Sequence, residues 1–260
     1  PRALIVGRHS EVDLPLPARG ELSLRHLAVV LTQGDAADEV RFSVLDLRTR
    51  GAFYDEAGRR LEAVTAEGPI FLSCGGYQLF FLPSQTQDCW PDDAEDGWLC
   101  IPDRVYLEES TADPERRRRG KRRRRRDDDT GKGKGERKAP VGYSTMVHTS
   151  LGPRFAKGGL LIEEGESELG TLEVEADDRD QRLVLGAKAA RRGVLLGRYD
   201  RCNAASILAH AHISRVHLLF VQVDDNLYAI DTGSTNGTWV PRSEDELEAV
   251  RVLCLPKGES

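Results

Sequence analysis

Between Gly193 and Val240 the chain reads GVLLGRYDRCNAASILAHAHISRVHLLFVQVDDNLYAIDTGSTNGTWV, three short apolar runs separated by polar loops. Val194 to Leu196, Val216 to Val223 and Leu227 to Ile230 are β-branched and aliphatic, and Asp224-Asp225-Asn226 between the last two is a hairpin signal. Each run has a polar cluster at its end. Gly197-Arg198 closes the first, Ser214-Arg215-x-His217 leads into the second, and Ser234-Thr235-Asn236-Gly237-Thr238 follows the third. In an all-β sandwich whose loops gather at one end, Arg198, Ser214, Arg215, Thr235 and Asn236 would meet. A planar cation, two hydroxyls and an amide on rigid strand ends suit a doubly charged oxyanion, which arginine can grip in bidentate fashion. The expected ligand is a phosphate.

This ordered set of motifs resembles the forkhead-associated (FHA) domain, a β-sandwich that reads phosphothreonine. The resemblance implies that Arg198 and Ser214 hold the phosphate, helped by Arg215 and Thr235, and that Asn236 grips the peptide main chain. It also implies that Gly197, His217 and Gly237 shape the loops, so that His217 is structural and not catalytic. A pocket for the threonine methyl group would give preference over phosphoserine.

Residues 1–83 carry a weaker copy of the pattern, the kind of internal repeat that decides an architecture. Ala3 to Arg8 matches Gly193 to Arg198, and Ser23-Leu24-Arg25-His26 matches Ser214 to His217. Read in line, Arg48 to Phe53 stands where Ser234 to Trp239 stands, which sets Arg50 in place of Asn236 and Ala52 in place of Thr238. Pro69 to Pro83, with a Gly75-Gly76 turn, supplies a closing hairpin. This segment resembles a diverged FHA domain: Arg8, Ser23, Thr49 and Arg50 could form a degenerate second phosphate site that lacks the asparagine clamp, and the competing reading is a structural or protein-contact role.

The expected fold is therefore all-β: an FHA-like sandwich over 1–84, a charged and disordered linker over 85–165, and an FHA domain over 166–260. Residues 115–138 hold fourteen basic and five acidic residues, a net +9 against −6 for the chain, which leaves −15 for the remainder. Like charges at that density repel and cannot form a core. Arg116 to Arg126 provides the rival reading, a non-specific binder of nucleic acid or an anionic surface, and a third is a structural scaffold whose phosphate site is silent; in a eukaryote the arginine run would also pass for a nuclear localisation signal. Thr145 and Thr149, read as lying in flexible surroundings, are candidate phosphoacceptors. The chain opens at Pro1 and stops soon after the apolar run Val250 to Leu255, so the expectation is a piece of something longer, with closing strands beyond Ser260.

Other chemistry is weak in this sequence. The five cysteines are scattered with no C-x-x-C, which suggests neither a disulfide framework nor a zinc site. Asp231-Thr232-Gly233-Ser234 also spells the loop of aspartic proteases, but that chemistry needs two carboxylates and no second copy is present. His210 and His212 form an H-x-H without a nearby carboxylate or cysteine. No run approaches the length of a membrane span. The expectation is a non-enzymatic, cytoplasmic adaptor with no cofactor, no metal and no catalytic residue. Its partner would be a phosphothreonine-bearing protein, a Ser/Thr kinase or that kinase's substrate.

Overall fold

The structure, a computed structural model, describes residues 2–17, 21–34, 40–49, 51–82, 91, 93–99, 104–108, 143–148, 160–162, 166–176, 179–203, 205, 208–243 and 246–255. The arginine-rich run lies outside them. The described residues are mostly β-strand, in two β-rich regions, with short helices α1 (Ala94–Leu99) and α2 (Ala187–Arg192). Among the described residues no helix is long and apolar enough to cross a membrane.

The first region begins with β1 (Arg2–Gly7), β2 (Leu14–Pro15), β3 (Leu27–Gln33), β4 (Val40–Asp46), β5 (Phe53–Tyr54), β6 (Arg60–Leu61), β7 (Ala63–Glu67), β8 (Ile70–Cys74) and β9 (Tyr77–Phe81). Two further strands, β10 (Arg104–Glu108) and β11 (Tyr143–His148), come from the segment expected as linker and extend the same sheet, whose order is β10-β11-β7-β4-β3-β1-β2. Thr145 therefore sits in a β-ladder, paired to Ala66 of β7, and not in flexible surroundings; Thr149 lies outside the described residues. A smaller sheet, β6-β5-β8-β9, covers one face, and its β8–β9 hairpin turns at Gly75-Gly76 with both φ angles positive.

The second region comprises β12 (Leu160–Leu161), β13 (Glu168–Ala176), β14 (Arg179–Gly186), β15 (Val194–Leu196), β16 (Leu218–Val223), β17 (Asn226–Asp231), β18 (Trp239–Ser243), β19 (Glu246–Ala249) and β20 (Val252–Leu255). They form a three-stranded sheet β12-β14-β13, a four-stranded sheet β15-β16-β17-β20 and the β18–β19 ribbon. The antiparallel series β1-β3-β4-β7 and β15-β16-β17-β20 are the two copies of the repeat.

The two copies stand back to back. In β3, Leu27 and Val29 enter a core shared with Phe53, Ile70 and Leu72 of the small sheet, while Ala28 and Val30 point the other way. There they meet Leu195, Leu219, Val221 and Ile230 of the second region in a common core with Ile5, Leu45 and Leu47. Beyond it, Val194, Leu196 and Phe220 pack on Leu183 and Leu185 of β14. Four sheets are thus stacked around three apolar layers, and the middle strands are buried on both faces. That burial is why LAVVL and LLFVQV read as nearly continuous apolar runs without polar alternation.

Polar bonds fix the register of the seam. Arg25, only 9% exposed, donates from Nε to the carbonyl oxygens of Thr232 (2.7 Å) and Gly233 (3.1 Å), and from Nη2 to that of Gly233. Arg48 and Arg201 each donate to the other's carbonyl oxygen, at 3.0 and 3.2 Å. Arg251 pairs with Asp13 at 2.6 Å, and Arg41 with Asp224 at 2.8 Å. Because Arg25 holds the turn that leads into Ser234 to Gly237, Arg25→Ala is expected to cost about 2 kcal/mol, the usual range for a buried hydrogen bond involving a charged group. Denaturant unfolding of the full chain checks this. A loss within error of zero would mean that the seam does not depend on Arg25.

Candidate functional site

Three loops meet at one end of the β15-β16-β17-β20 sheet, and each is tied by backbone bonds before any ligand is considered. The N–H groups of Arg198 and Tyr199 donate to the carbonyl oxygens of Ser214 (3.2 Å) and Arg215 (3.0 Å), zipping the first loop to the second. The approach is so close that a Cβ on Gly197 would collide with the Arg215 carbonyl, so only glycine fits. His217, buried beneath, accepts the Ser214 N–H at Nδ1 (3.2 Å). Its proton is therefore on Nε2, which donates to the Gly237 carbonyl at 3.3 Å and ties the second loop to the third. His217 acts as a neutral brace.

Asp231 holds the third loop. Its Oδ1 accepts the N–H groups of Gly233 and Ser234, both at 2.7 Å, and its Oδ2 accepts the hydroxyls of Ser234 and Thr238, both at 2.6 Å. Burial alone would raise its pKa, but these four bonds more than offset that, and the pKa is lowered. The carboxylate is saturated within its own turn, which accounts for the Asp-Thr-Gly-Ser sequence without proteolysis.

On this frame Ser214, Thr235, Arg198 and Asn236 are brought together. Ser214 Oγ accepts the Thr235 N–H at 2.9 Å and lies 3.4 Å from Thr235 Oγ1. Arg198 is exposed and braced through Nε to the Ile213 carbonyl (2.9 Å), so its two terminal nitrogens have no partner among the described residues. Asn236, also exposed, donates through Nδ2 to the His212 carbonyl (2.8 Å), and the exposed Trp239 ring donates to the Asn236 carbonyl (2.8 Å). Arg215 is different. Among the described residues no hydrogen bond joins its side chain to this group, and it lines the cleft between the two regions instead. His210 and His212 have ring centroids 5.1 Å apart, and the described residues contain no metal-holding group of three ligands.

The first region repeats the frame, one residue out of step with the linear comparison. Gly7 faces the Leu24 carbonyl as Gly197 faces that of Arg215. His26 accepts the Ser23 N–H at Nδ1 (3.1 Å) and donates to the Ala52 carbonyl (2.8 Å). Ala52, with φ +53°, thus occupies the place of Gly237 (φ +73°), and Arg48 (φ +56°) that of Gly233 (φ +80°). The equivalence is displaced by one residue from the linear reading. Thr49 corresponds to Ser234, and its hydroxyl donates to Asp46 at 2.6 Å as that of Ser234 does to Asp231. Gly51, not Arg50, falls at the position of Asn236, and Arg50 itself lies outside the described residues. Of the degenerate set, Arg8, Ser23 and Thr49 line one cleft.

A family model for the FHA domain matches residues 194–252. This region is an FHA domain. The family makes it a phosphothreonine-peptide binding module, whose partners are phosphothreonine-containing proteins. No catalytic domain is identified in the chain, and the N-terminal β-region has no family assignment. No match to the chain is found among curated proteins. The anchoring role of Asp231 was not expected from the sequence, where its Thr-Gly-Ser sequel was the signal present.

The pKa values of the two equivalent aspartates are shifted in opposite directions. Asp46 is buried and among the described residues its carboxylate takes hydrogen bonds from Thr49 alone, so desolvation raises its pKa to about 6 from 3.8. Between those values the folded state holds a proton that the unfolded state has lost, so Asp46 makes stability fall as pH rises toward 6. Asp231 contributes stability that is present above the unfolded value and is lost only as pH falls below it. The expected outcome is that Asp46→Asn flattens the pH dependence of unfolding between about 4 and 6, as measured by denaturation at several pH values. An unchanged slope would show that Asp46 is already ionised there.

Proposed function

We propose that the FHA domain of this chain recognises phosphothreonine through Arg198, Ser214, Thr235 and Asn236, and that the chain is a signalling adaptor or scaffold acting downstream of a Ser/Thr kinase. The observation that supports the reading is the cluster of Ser214 Oγ, Thr235 Oγ1 and the exposed Arg198, whose terminal nitrogens have no partner among the described residues. The phosphate brings about −1.5 to −2 charges near neutral pH and three acceptor oxygens. Arg198 supplies a bidentate, charge-assisted pair, and the hydroxyls of Ser214 and Thr235 supply short donors on the other side. Asn236, on the rim, fixes the peptide main chain through the amide oxygen that its bond to His212 leaves available. Arg215 adds positive potential from the seam side.

This division of labour makes affinity depend on the phosphate and selectivity on the loops. Arg198→Ala should reduce binding to a phosphothreonine peptide by at least about tenfold, because a charge-assisted pair is removed while an exposed position leaves the fold intact. Fluorescence polarisation against phosphothreonine, phosphoserine and unphosphorylated versions of a degenerate peptide library is the measurement. Undiminished binding by a folded Arg198→Ala protein would reject the proposed site.

A further inference from the structure

The cleft at the seam is a second place where unbalanced charge collects. It encloses about 750 Å3 and is walled by Arg8, Arg25 and Arg48 from the first region and by Arg215 from the FHA domain. Among the described residues Glu21 is the single carboxylate in that wall. Arg25 and Arg48 are committed to backbone carbonyls across the seam. The side chains of Arg8 and Arg215 are exposed and make no hydrogen bond or ion pair among the described residues. Ser23 adds a hydroxyl, Tyr54 and Tyr199 also line the cleft, and the hydroxyl of Thr49 is committed to Asp46.

Four arginines and one carboxylate line the cleft. Burial lowers the pKa of Arg25, and the neighbouring charges of Arg215 and Arg251 press it further in the same direction, against the pull of Asp231. A cleft that concentrates one sign of charge between low-dielectric walls attracts an anion of the opposite sign. The cleft is also incomplete in either region alone, since Arg8 and Arg215 come from different copies of the repeat.

We propose that this cleft is a second phosphate-binding site, shared between the two regions, in which Arg8 and Arg215 hold a phosphate monoester with the Ser23 hydroxyl as a further donor. Gly51 stands where the FHA domain has Asn236, so the site has no amide to clamp a peptide main chain. It therefore reads the phosphate more than its carrier, and accepts phosphoserine and phosphothreonine alike. The site does not depend on the Arg198 cluster.

The test uses the full chain carrying Arg198→Ala, titrated by calorimetry with a phosphothreonine peptide, its phosphoserine counterpart and inorganic phosphate. Saturable binding should remain, with the two peptides within about threefold of each other, and adding Arg8→Ala or Arg215→Ala should each weaken it by about tenfold through loss of a charge-assisted pair. Arg8→Lys, which keeps the charge, should lose less than Arg8→Ala. Peptides binding at least about tenfold more tightly than inorganic phosphate would identify a polypeptide as the carrier, and equal affinities would identify free phosphate. If Arg198→Ala abolishes all binding, or if what remains ignores both Arg8→Ala and Arg215→Ala, the seam site is overturned and the FHA reading stands. Conversely, wild-type binding that survives Arg198→Ala in full and vanishes with Arg8→Ala supports the seam and removes the FHA cluster.

Discussion

Everything in this molecule depends on burying both faces of the middle strands. Ile5, Leu45, Leu195, Leu219 and Ile230 all contribute to the layer between the two copies of the repeat. Each such side chain is worth about 1.5–3 kcal/mol when fully removed from water. The ion pairs at the rim, Arg251–Asp13 and Arg41–Asp224, each have a substantially solvent-exposed partner and contribute at most about 1 kcal/mol each. Apolar burial therefore provides most of the cohesion of the seam, and the polar bonds select its register. Arg25 belongs to the second class with a larger consequence. Its guanidinium ends on the two carbonyls immediately before the FHA loop, so the register of the seam and the position of the loop are set together.

The two copies solve the same loop problem with the same parts. A glycine permits close approach, a neutral histidine braces two loops, and an aspartate accepts bonds from the residues that follow it. What separates them is how fully the aspartate is satisfied. Asp231 has four donors and Arg251 at 3.5 Å, while Asp46 has only Thr49 among the described residues. The second loop is thereby stiff and ends in an asparagine side chain on the rim. The first has a glycine there, and keeps the frame while losing the clamp. Positive charge remains there, because the exposed Arg8 lines the same cleft as Arg215.

Much of this was legible in the sequence, for a definite reason. The motifs around Arg198, Ser214 and Asn236 are strand-to-loop transitions, and those are set by residues close together in the chain: a glycine where backbones touch, turn formers, β-branched runs. The hairpin at Gly75-Gly76 and the repeat itself followed from the same local rules. The equivalence of Thr49 with Ser234 did not, since a linear comparison has no way to know that Arg48 adopts a positive φ in place of a glycine. The strands at 104–108 and 143–148 were also missed. They flank a charged segment, and their pairing with β7 is a contact across long sequence distance, where local periodicity carries no information.

The seam was written in the sequence but could not be interpreted from it. LAVVL and LLFVQV lack polar alternation, which signals burial on both faces without saying what lies on the second one. Either a second sheet of the same sandwich or a neighbouring region would satisfy the pattern. The choice rests on residues that carry no motif, such as Leu45 under Gly193, where a Cβ would press on the Leu45 side chain at 2.9 Å. Arg215 shows the same limit for function. Its place in the Ser-Arg-x-His motif assigns it to the phosphate cluster of its own domain, yet a side chain at the edge of one sandwich also faces whatever packs beside it. Once two such sandwiches are joined back to back, a residue inherited for one site lies in the wall of another.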